Sequence, residues 1–329
     1  MNSMNKEALR IVYMGTPEFA VAPLRALVEN HYQVVAVVTM PDKPIGRGMK
    51  IQASPVKQYA VSVGLPVLQP ERLKDEAFLE ELRSYRADLQ IVVAFRMLPQ
   101  VVWDMPPMGT FNLHASLLPQ YRGAAPIHWA VINGERETGV TTFLLQHEID
   151  TGNILLQERL SIAPDETTGS VHDRLMALGA RLVPRTVDLL LSGSWQAVSQ
   201  QDLLPASGEL HTAPKLFKDN TRIDWHQPCG RIYDFVRGLN PYPAAWTELS
   251  MTIKGRTDML PLKVFAVSCE KAAHFEAPGS VQTDGKHYLK VAVPDGWVVL
   301  ERLQPAGKKP MTGAEYLRGF QQLPEFRLD

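Results

Sequence analysis

A chain of 329 residues, 45% hydrophobic and 21% charged, is long enough for two domains with full cores, and its net charge of −1 excludes a strongly basic nucleic-acid binder. Residues 1–10 show no leader-like apolar run, and the longest aliphatic runs, such as Val34–Val38, fall far short of the ~18 residues of a membrane span, so a soluble, cytoplasmic protein is expected. The charge is uneven: residues 1–212 carry 18 Lys and Arg against 22 Asp and Glu, whereas 213–329 carry 16 against 13, a mild excess that permits a polyanionic partner without requiring one.

In chain order, aliphatic runs at 10–14, 33–40, 89–95 and 110–114 predict the central strands of a doubly wound α/β sheet. Crossover helices are expected between them. Residues 18–30 place Phe19, Val21, Leu24, Leu27 and Val28 largely on one helical face, and Ser54-Pro55 supplies an N-cap followed by proline at the first helical position. Residues 138–145 and 153–162 predict further strands. The stretch 168–191 predicts a long helix carrying Leu175, Leu178, Leu182 and Leu190, kinked at Pro184. From Ser192 to Pro214 the composition shifts to Ser, Gly, Gln, Pro and Ala without an apolar period, as an interdomain linker requires. The expected division is a domain of 1–192, a linker of 193–213 and a domain of 214–329. In the last of these, a short helix at 229–237 and β-rich runs at 245–252, 260–267, 287–293 and 297–303 predict a small β-barrel. The two cysteines, Cys229 and Cys269, have a spacing that fits neither a zinc ligand set nor a disulfide framework and read as reduced thiols.

Several motifs are excluded by their arithmetic. Met14-Gly15-Thr16-Pro17 follows a strand but has one glycine where a dinucleotide fingerprint needs three, so a tight turn is expected rather than NAD binding. No P-loop or GxSxG elbow occurs, and Ser116 is not expected to be a nucleophile. Asp150-Thr151-Gly152 lacks the second copy that an aspartic protease requires. Nine histidines without an HExxH cluster predict no metal, and His128, His147 and His172 read as surface or packing residues.

The segment from Phe111 is different. Strand alternation puts Asn112 and His114 on one face at a strand's C-terminal end, the edge where open α/β sheets bind ligands. On their own, such residues serve neighbouring backbone groups about as often as they serve chemistry. The sequence that follows favours chemistry: Ser116-Leu117-Leu118-Pro119 must turn sharply, and the strand at 138–145 leads to Asp150, returning a carboxylate to the same edge. An amide donor, an imidazole and a carboxylate suffice for a carbonyl transfer without metal. Lys43, Arg47 and Lys50, set among Pro44, Gly46 and Gly48, form a basic loop that suits phosphates, though a solvated connection fits the pattern equally well. Lys308-Lys309 and residues 237–241 read as ordinary surface.

The run FNLHASLLPQYRGAAPIHWAVINGERETGVTTFLLQHEIDTGNIL resembles the signature of the folate-dependent formyltransferase family. Four further segments are similar to its tRNA-acting branch, so that the resemblance spans nearly the whole chain: IVYMGTPEFA at Ile11, PDKPIGRGMK at Pro41, SPVK at Ser54 and LNPYPAAWT at Leu239. It implies a Rossmann-like formyltransferase domain followed by an OB-type β-barrel. It also implies Asn112, His114 and Asp150 as the catalytic set, Ser116, Leu117, Leu118 and Pro119 at the tetrahydrofolate site, and tRNA contacts at Lys43, Arg47 and Lys50. The implied reaction moves the formyl group of 10-formyltetrahydrofolate to the α-amino group of methionyl initiator tRNA for translation initiation, with no metal and no obligate protein partner. Asn112 is expected at the oxyanion and His114 as proton shuttle, with Asp150 either orienting the imidazole or acting as base.

The same signature serves a second acceptor class, nucleotide-linked amino sugars, against which the basic loop and the second domain argue. A non-catalytic tRNA- or folate-binding module is disfavoured by the intact set of three. Two departures from the family pattern stand out. Phe95-Arg96-Met97-Leu98-Pro99 is one residue shorter than the usual aromatic-glycine-ILP and puts Arg96 near the expected pterin wall. Lys43 replaces a common arginine, keeping the charge but losing the planar fork.

Overall fold

The computed structural model of the chain describes residues 5–45, 50–148, 150–204, 209–253, 256–319 and 325–328. They form two compact units, one of Met1–Gly123, Glu137–Ser161 and His172–Thr212, the other of Ala124–Arg136, Ile162–Val171 and Ala213–Asp329. No described helix is long and apolar enough to cross a membrane.

In the first unit, seven strands lie in the order Val67–Leu68, Val34–Val38, Ile11–Gly15, Leu89–Val93, Thr110–His114, Glu137–Leu144, Ile154–Ser161. The first five run parallel and the last two antiparallel. Every residue of Ile11–Gly15 and Leu89–Val93 is buried. Parallel strands covered on both faces lose alternation and become continuous apolar runs, which is why they stand out in the sequence. The winding moves outward from Ile11–Gly15 and then restarts on its other flank at Leu89–Val93, the reversal beside which open sheets bind ligands.

Local chemistry sets the flanking elements. A Cβ on Gly15 would sit 2.6 Å from the Ala20 Cβ and 3.0 Å from the Val93 carbonyl, so the single glycine of MGTP serves a close packing contact. The tight turn after it, Glu18–Ala20, is 3-10, and the α-helix starts only at Val21, running to Glu29. Ser54 accepts the Lys57 N–H at 3.1 Å, and Pro55 opens its helix as the sequence predicts. Thr168–Ser192 is assigned as one helix through Pro184 and buries Leu175, Leu178, Leu182 and Leu190. The polar stretch after it is not structureless. Val198 and Ile154 exchange N–H···O bonds of 2.8 and 2.9 Å, and Gln200–Leu203 forms a 3-10 turn capped by Ser199.

The second unit is the β-rich body. Its strands pair antiparallel in the order Val281–Thr283, Leu289–Val293, Gly296–Pro305, Arg256–Glu270, Ala245–Ile253, Glu325–Leu328. A bridge between Ser280 and Arg327, with the Leu328 N–H donating to the Gly279 carbonyl at 3.0 Å, joins the two ends into a near-barrel. The helix Cys229–Gly238 lays Ile232 and Val236 into a core with Leu249, Leu262, Val264, Val291, Val298 and Leu300. Docking that helix on the strand Arg256–Glu270 brings Cys229 within 5.8 Å of Cys269 at Cα, and the two are disulfide-bonded. This corrects the reading of two reduced thiols: the pair meets through helix-on-sheet packing across 40 residues, which spacing along the chain does not encode.

Candidate active site

The strand Thr110–His114 lies between a parallel neighbour and an antiparallel one, with Asn112 opposite Val92 and Phe143, and His114 opposite Thr141. Alternation sends Phe111 and Leu113 to one face, where both are buried, and Asn112 and His114 to the other. The two therefore share a face at the C-terminal strand end. The Asn112 side chain is half-buried and makes no hydrogen bond to the described residues, leaving its amide available to a ligand.

His114 is 6% exposed, and its Nε2 lies 2.9 Å from the Tyr121 carbonyl oxygen. A carbonyl oxygen only accepts, so Nε2 carries the hydrogen and Nδ1 of the neutral ring presents a lone pair. That Nδ1 is 3.9 Å from Asp150 Oδ2, with the two side chains only 7% and 12% exposed. Asp150 has φ of 55°, in the left-handed region that Asp and Asn tolerate better than other side chains. Its Oδ2 accepts the Gly123 N–H at 3.1 Å. Two residues on, a Cβ at Gly152 would lie 1.6 Å from the Leu144 carbonyl, so the glycine of Asp-Thr-Gly is there for backbone approach.

A further side chain, which the sequence does not point to, completes this turn. Gln200 is 3% exposed. Its Nε2 donates to the carbonyls of Asp150 and Gly152, both at 2.8 Å, and its Oε1 accepts from Arg122 Nε and Nη2 at 3.0 and 2.6 Å. It falls within 193–213, the stretch expected from its polar composition to be a linker, which gives no sign of a buried amide.

Ser116-Leu117-Leu118-Pro119 forms the turn after the strand, and its polar groups bond within the protein. The Ser116 hydroxyl donates to the Gln120 carbonyl at 2.7 Å. Thr141 Oγ1 donates to the Ser116 carbonyl at 2.7 Å and accepts the Leu118 N–H at 3.2 Å, while Gln157 Nε2 donates to the Leu118 carbonyl at 2.7 Å. Ser116, Leu118 and Pro119 are buried, and Leu117 alone is half-buried.

The basic loop is a hairpin of Lys43–Ile45 with Lys50–Gln52. Lys43 is exposed; Arg47 lies outside the described residues, as does the side chain of Lys50. The root of the hairpin is fixed by Asp42, which accepts from Lys57 Nζ at 2.6 Å and Gln69 Nε2 at 2.7 Å, and these bonds hold its carboxyl below the usual range. Arg96 has a structural explanation. Its guanidinium donates to the Pro70 and Glu71 carbonyls and lies 5.7 Å from the Phe95 ring, and burial lowers its pKa. Among the described residues, no group of three or more His, Cys, Asp or Glu could hold a metal ion.

The sequence profile of the Formyl transferase family matches residues 9–187, and that of the Formyl transferase C-terminal domain matches 215–321. A methionyl-tRNA formyltransferase of Parabacteroides distasonis is 64% identical over 324 residues, covering 98% of this chain and 99% of the relative. One of Bacteroides fragilis is 59% identical over 99% of both. Among solved structures, an N-formyltransferase from Helicobacter canadensis in complex with folinic acid and dTDP-3-aminofucose aligns with a TM-score of 0.62 at 19% identity, covering 90% of this chain and 99% of that one, which establishes likeness of fold.

Proposed function

The chain belongs to the methionyl-tRNA formyltransferase family, and from that membership we infer that it transfers the formyl group of 10-formyltetrahydrofolate to the α-amino group of methionyl initiator tRNA. The product, N-formylmethionyl-tRNA, supplies translation initiation in the cytoplasm. The observation that carries the chemistry is the wiring of His114, with Nε2–H held by the Tyr121 carbonyl and Nδ1 turned toward Asp150.

The reaction is balanced without an external acid or base. An α-amino group with an ordinary pKa of about 7.7–8.0 is partly neutral at physiological pH, so its nitrogen lone pair attacks the formyl carbon. A new C–N bond forms and the formyl oxygen becomes an oxyanion. The unengaged Asn112 amide donates N–H to that oxygen, an interaction worth about 3–4 kcal/mol where such donors have been removed. The proton shed by the attacking nitrogen passes to His114 Nδ1, and Asp150 stabilises the resulting imidazolium. The bond to N10 then breaks, the proton moves to N10, and tetrahydrofolate leaves. The approach of Nδ1 to Asp150 Oδ2 at 3.9 Å supports His114 as shuttle and Asp150 as its electrostatic partner.

In this reading the turn Ser116–Pro119 borders the tetrahydrofolate site, with Leu117 the member that retains exposed surface. Lys43, Arg47 and Lys50 contact the tRNA backbone. Residues 1–192 supply the chemistry and 214–329 bind tRNA, across the stretch 193–213. The test is a reaction of purified protein with 10-formyltetrahydrofolate and charged initiator tRNA, with formylmethionyl-tRNA detected by mass spectrometry and a nucleotide-linked amino sugar offered in parallel. Formylation of the sugar alone would replace the tRNA reading; formylation of neither would defeat formyl transfer.

A further inference from the structure

Between the long helix and the β-rich body runs a polar stretch whose composition is that of a tether. One polar residue among those described in it is as buried as the core. Gln200 is 3% exposed, and all four hydrogen-bonding positions of its amide are filled: two N–H donors on the Asp150 and Gly152 carbonyls, two oxygen lone pairs on Arg122. An asparagine, one methylene shorter, does not span the same three partners. A surface tether has no use for a fully satisfied buried amide.

The partners of that amide converge on one carboxylate. Asp150 sits in the left-handed region, which a non-glycine residue keeps only when its surroundings hold it. Its main chain is held by Gln200, and its side chain by the N–H of Gly123, the residue next to Arg122. Gln200 therefore holds this turn at two points: it fixes the Asp150 carbonyl directly, and it anchors the guanidinium of Arg122, the residue before the one whose N–H binds the carboxylate. The paired backbones of Val198 and Ile154 hold the brace in place from the other side of the turn.

We propose that Gln200 is a positioning residue for formyl transfer, fixing the direction in which Asp150 faces His114. The assignment rests on the formyl-transfer reading of this site. Gln200 does not contact the reacting atoms, and its effect passes entirely through Asp150.

The test uses the full chain with Gln200→Met, which removes all four bonds at similar volume, and Gln200→Glu, which still accepts from Arg122 but cannot donate to the two carbonyls. Each is measured alone and with Asp150→Asn, by single-turnover formyl transfer and by thermal unfolding. Displacement of a catalytic group by a fraction of an ångström to an ångström is expected to lower the single-turnover rate by up to about a hundredfold in Gln200→Met, with KM for 10-formyltetrahydrofolate within roughly threefold. In the Asp150→Asn background, Gln200→Met is expected to have an effect of less than roughly threefold, because the group it aims is no longer charged. Two independent losses that multiply in the double variant would overturn the proposal, as would near wild-type rates in both single variants. If Gln200→Met does not fold, Gln200→Glu carries the same comparison; if neither folds, Gln200 is a scaffold residue and the proposal fails. Wild-type protein that makes no formylmethionyl-tRNA defeats the formyl-transfer reading itself, whereas active wild type with unaffected Gln200 variants defeats only this assignment.

Discussion

Replacing Asp150 by Asn isolates the charge that faces His114. The amide oxygen can still accept the Gly123 N–H, and Asn tolerates the left-handed backbone at φ of 55° as well as Asp does, so the turn survives. What disappears is a negative charge 3.9 Å from the imidazole, in a place where the two side chains are only 12% and 7% exposed. With an effective dielectric of about 20, a unit charge pair at this separation is worth about 4 kcal/mol. That energy is realised only while His114 carries the proton in transit, so its loss raises the barrier rather than weakening substrate binding. The expected result is a fall of two to three powers of ten in the single-turnover rate, with KM and unfolding midpoint little changed. A variant that transferred formyl within roughly threefold of wild type would refute the charge-stabilised shuttle and leave Asp150 as a structural residue of the turn.

Asn112→Ala removes the amide proposed at the oxyanion and is expected to cost about 3–4 kcal/mol in kcat/KM, read with saturating tRNA; an unchanged value removes Asn112 from the catalytic set. Lys43→Ala and Arg47→Ala are expected to weaken use of charged tRNA while lowering the slope of log affinity against log salt, by roughly one for each phosphate no longer neutralised, measured by binding titrations across salt concentrations. Equal tRNA use at every salt concentration would return the hairpin to a solvated connection. Closing a loop across the 40-residue separation of Cys229 and Cys269 is worth about 4 kcal/mol in the chain-entropy description, so reductant or Cys269→Ser is expected to lower the stability of the β-rich unit by up to that amount. Two titratable thiols in the native protein, with no dependence of unfolding on reductant, would restore the reduced-thiol reading.

What could be read from the sequence divides along physical lines. The strands at Ile11–Gly15 and Leu89–Val93 are legible because both their faces are buried, and the helix at Pro55 is legible because its cap is chemical and local. Asn112 and His114 come from alternation within one strand, which needs no tertiary knowledge. Asp150 is less direct: the strand at 138–145 aims it at the same edge, but it reaches His114 through a turn whose conformation depends on Gly152 passing the Leu144 carbonyl, which the strand pattern does not encode. Arg96 looks like an unexplained charge in sequence because its acceptors are backbone carbonyls at Pro70 and Glu71, and carbonyls have no letter code. The same blindness hides the Cys229–Cys269 pair, whose proximity is a property of how a helix lies on a strand.

The Asp150 carboxylate, the proposed electrostatic partner of His114, is placed by a main-chain N–H, with the Gln200 side chain holding the main chain that carries it. Gly123 supplies an N–H, Gly152 a close approach, and Gln200 two N–H donors to carbonyls, while Arg122 ties the first of these to the last. Such an arrangement tolerates change in any side chain that only fills space, and fails when one that holds backbone is removed. The stretch after the long helix therefore holds a short brace at Val198–Gln200 and, further on, a second contact at His211, whose carbonyl accepts the Tyr121 N–H at 2.8 Å and whose N–H donates to Gln120 Oε1 at 2.8 Å. Exchanging residues 205–208 for an unrelated polar sequence of equal length should preserve turnover while Val198–Gln200 and His211 are kept, and exchanging Val198–Gln200 as well should reproduce the Gln200→Met defect.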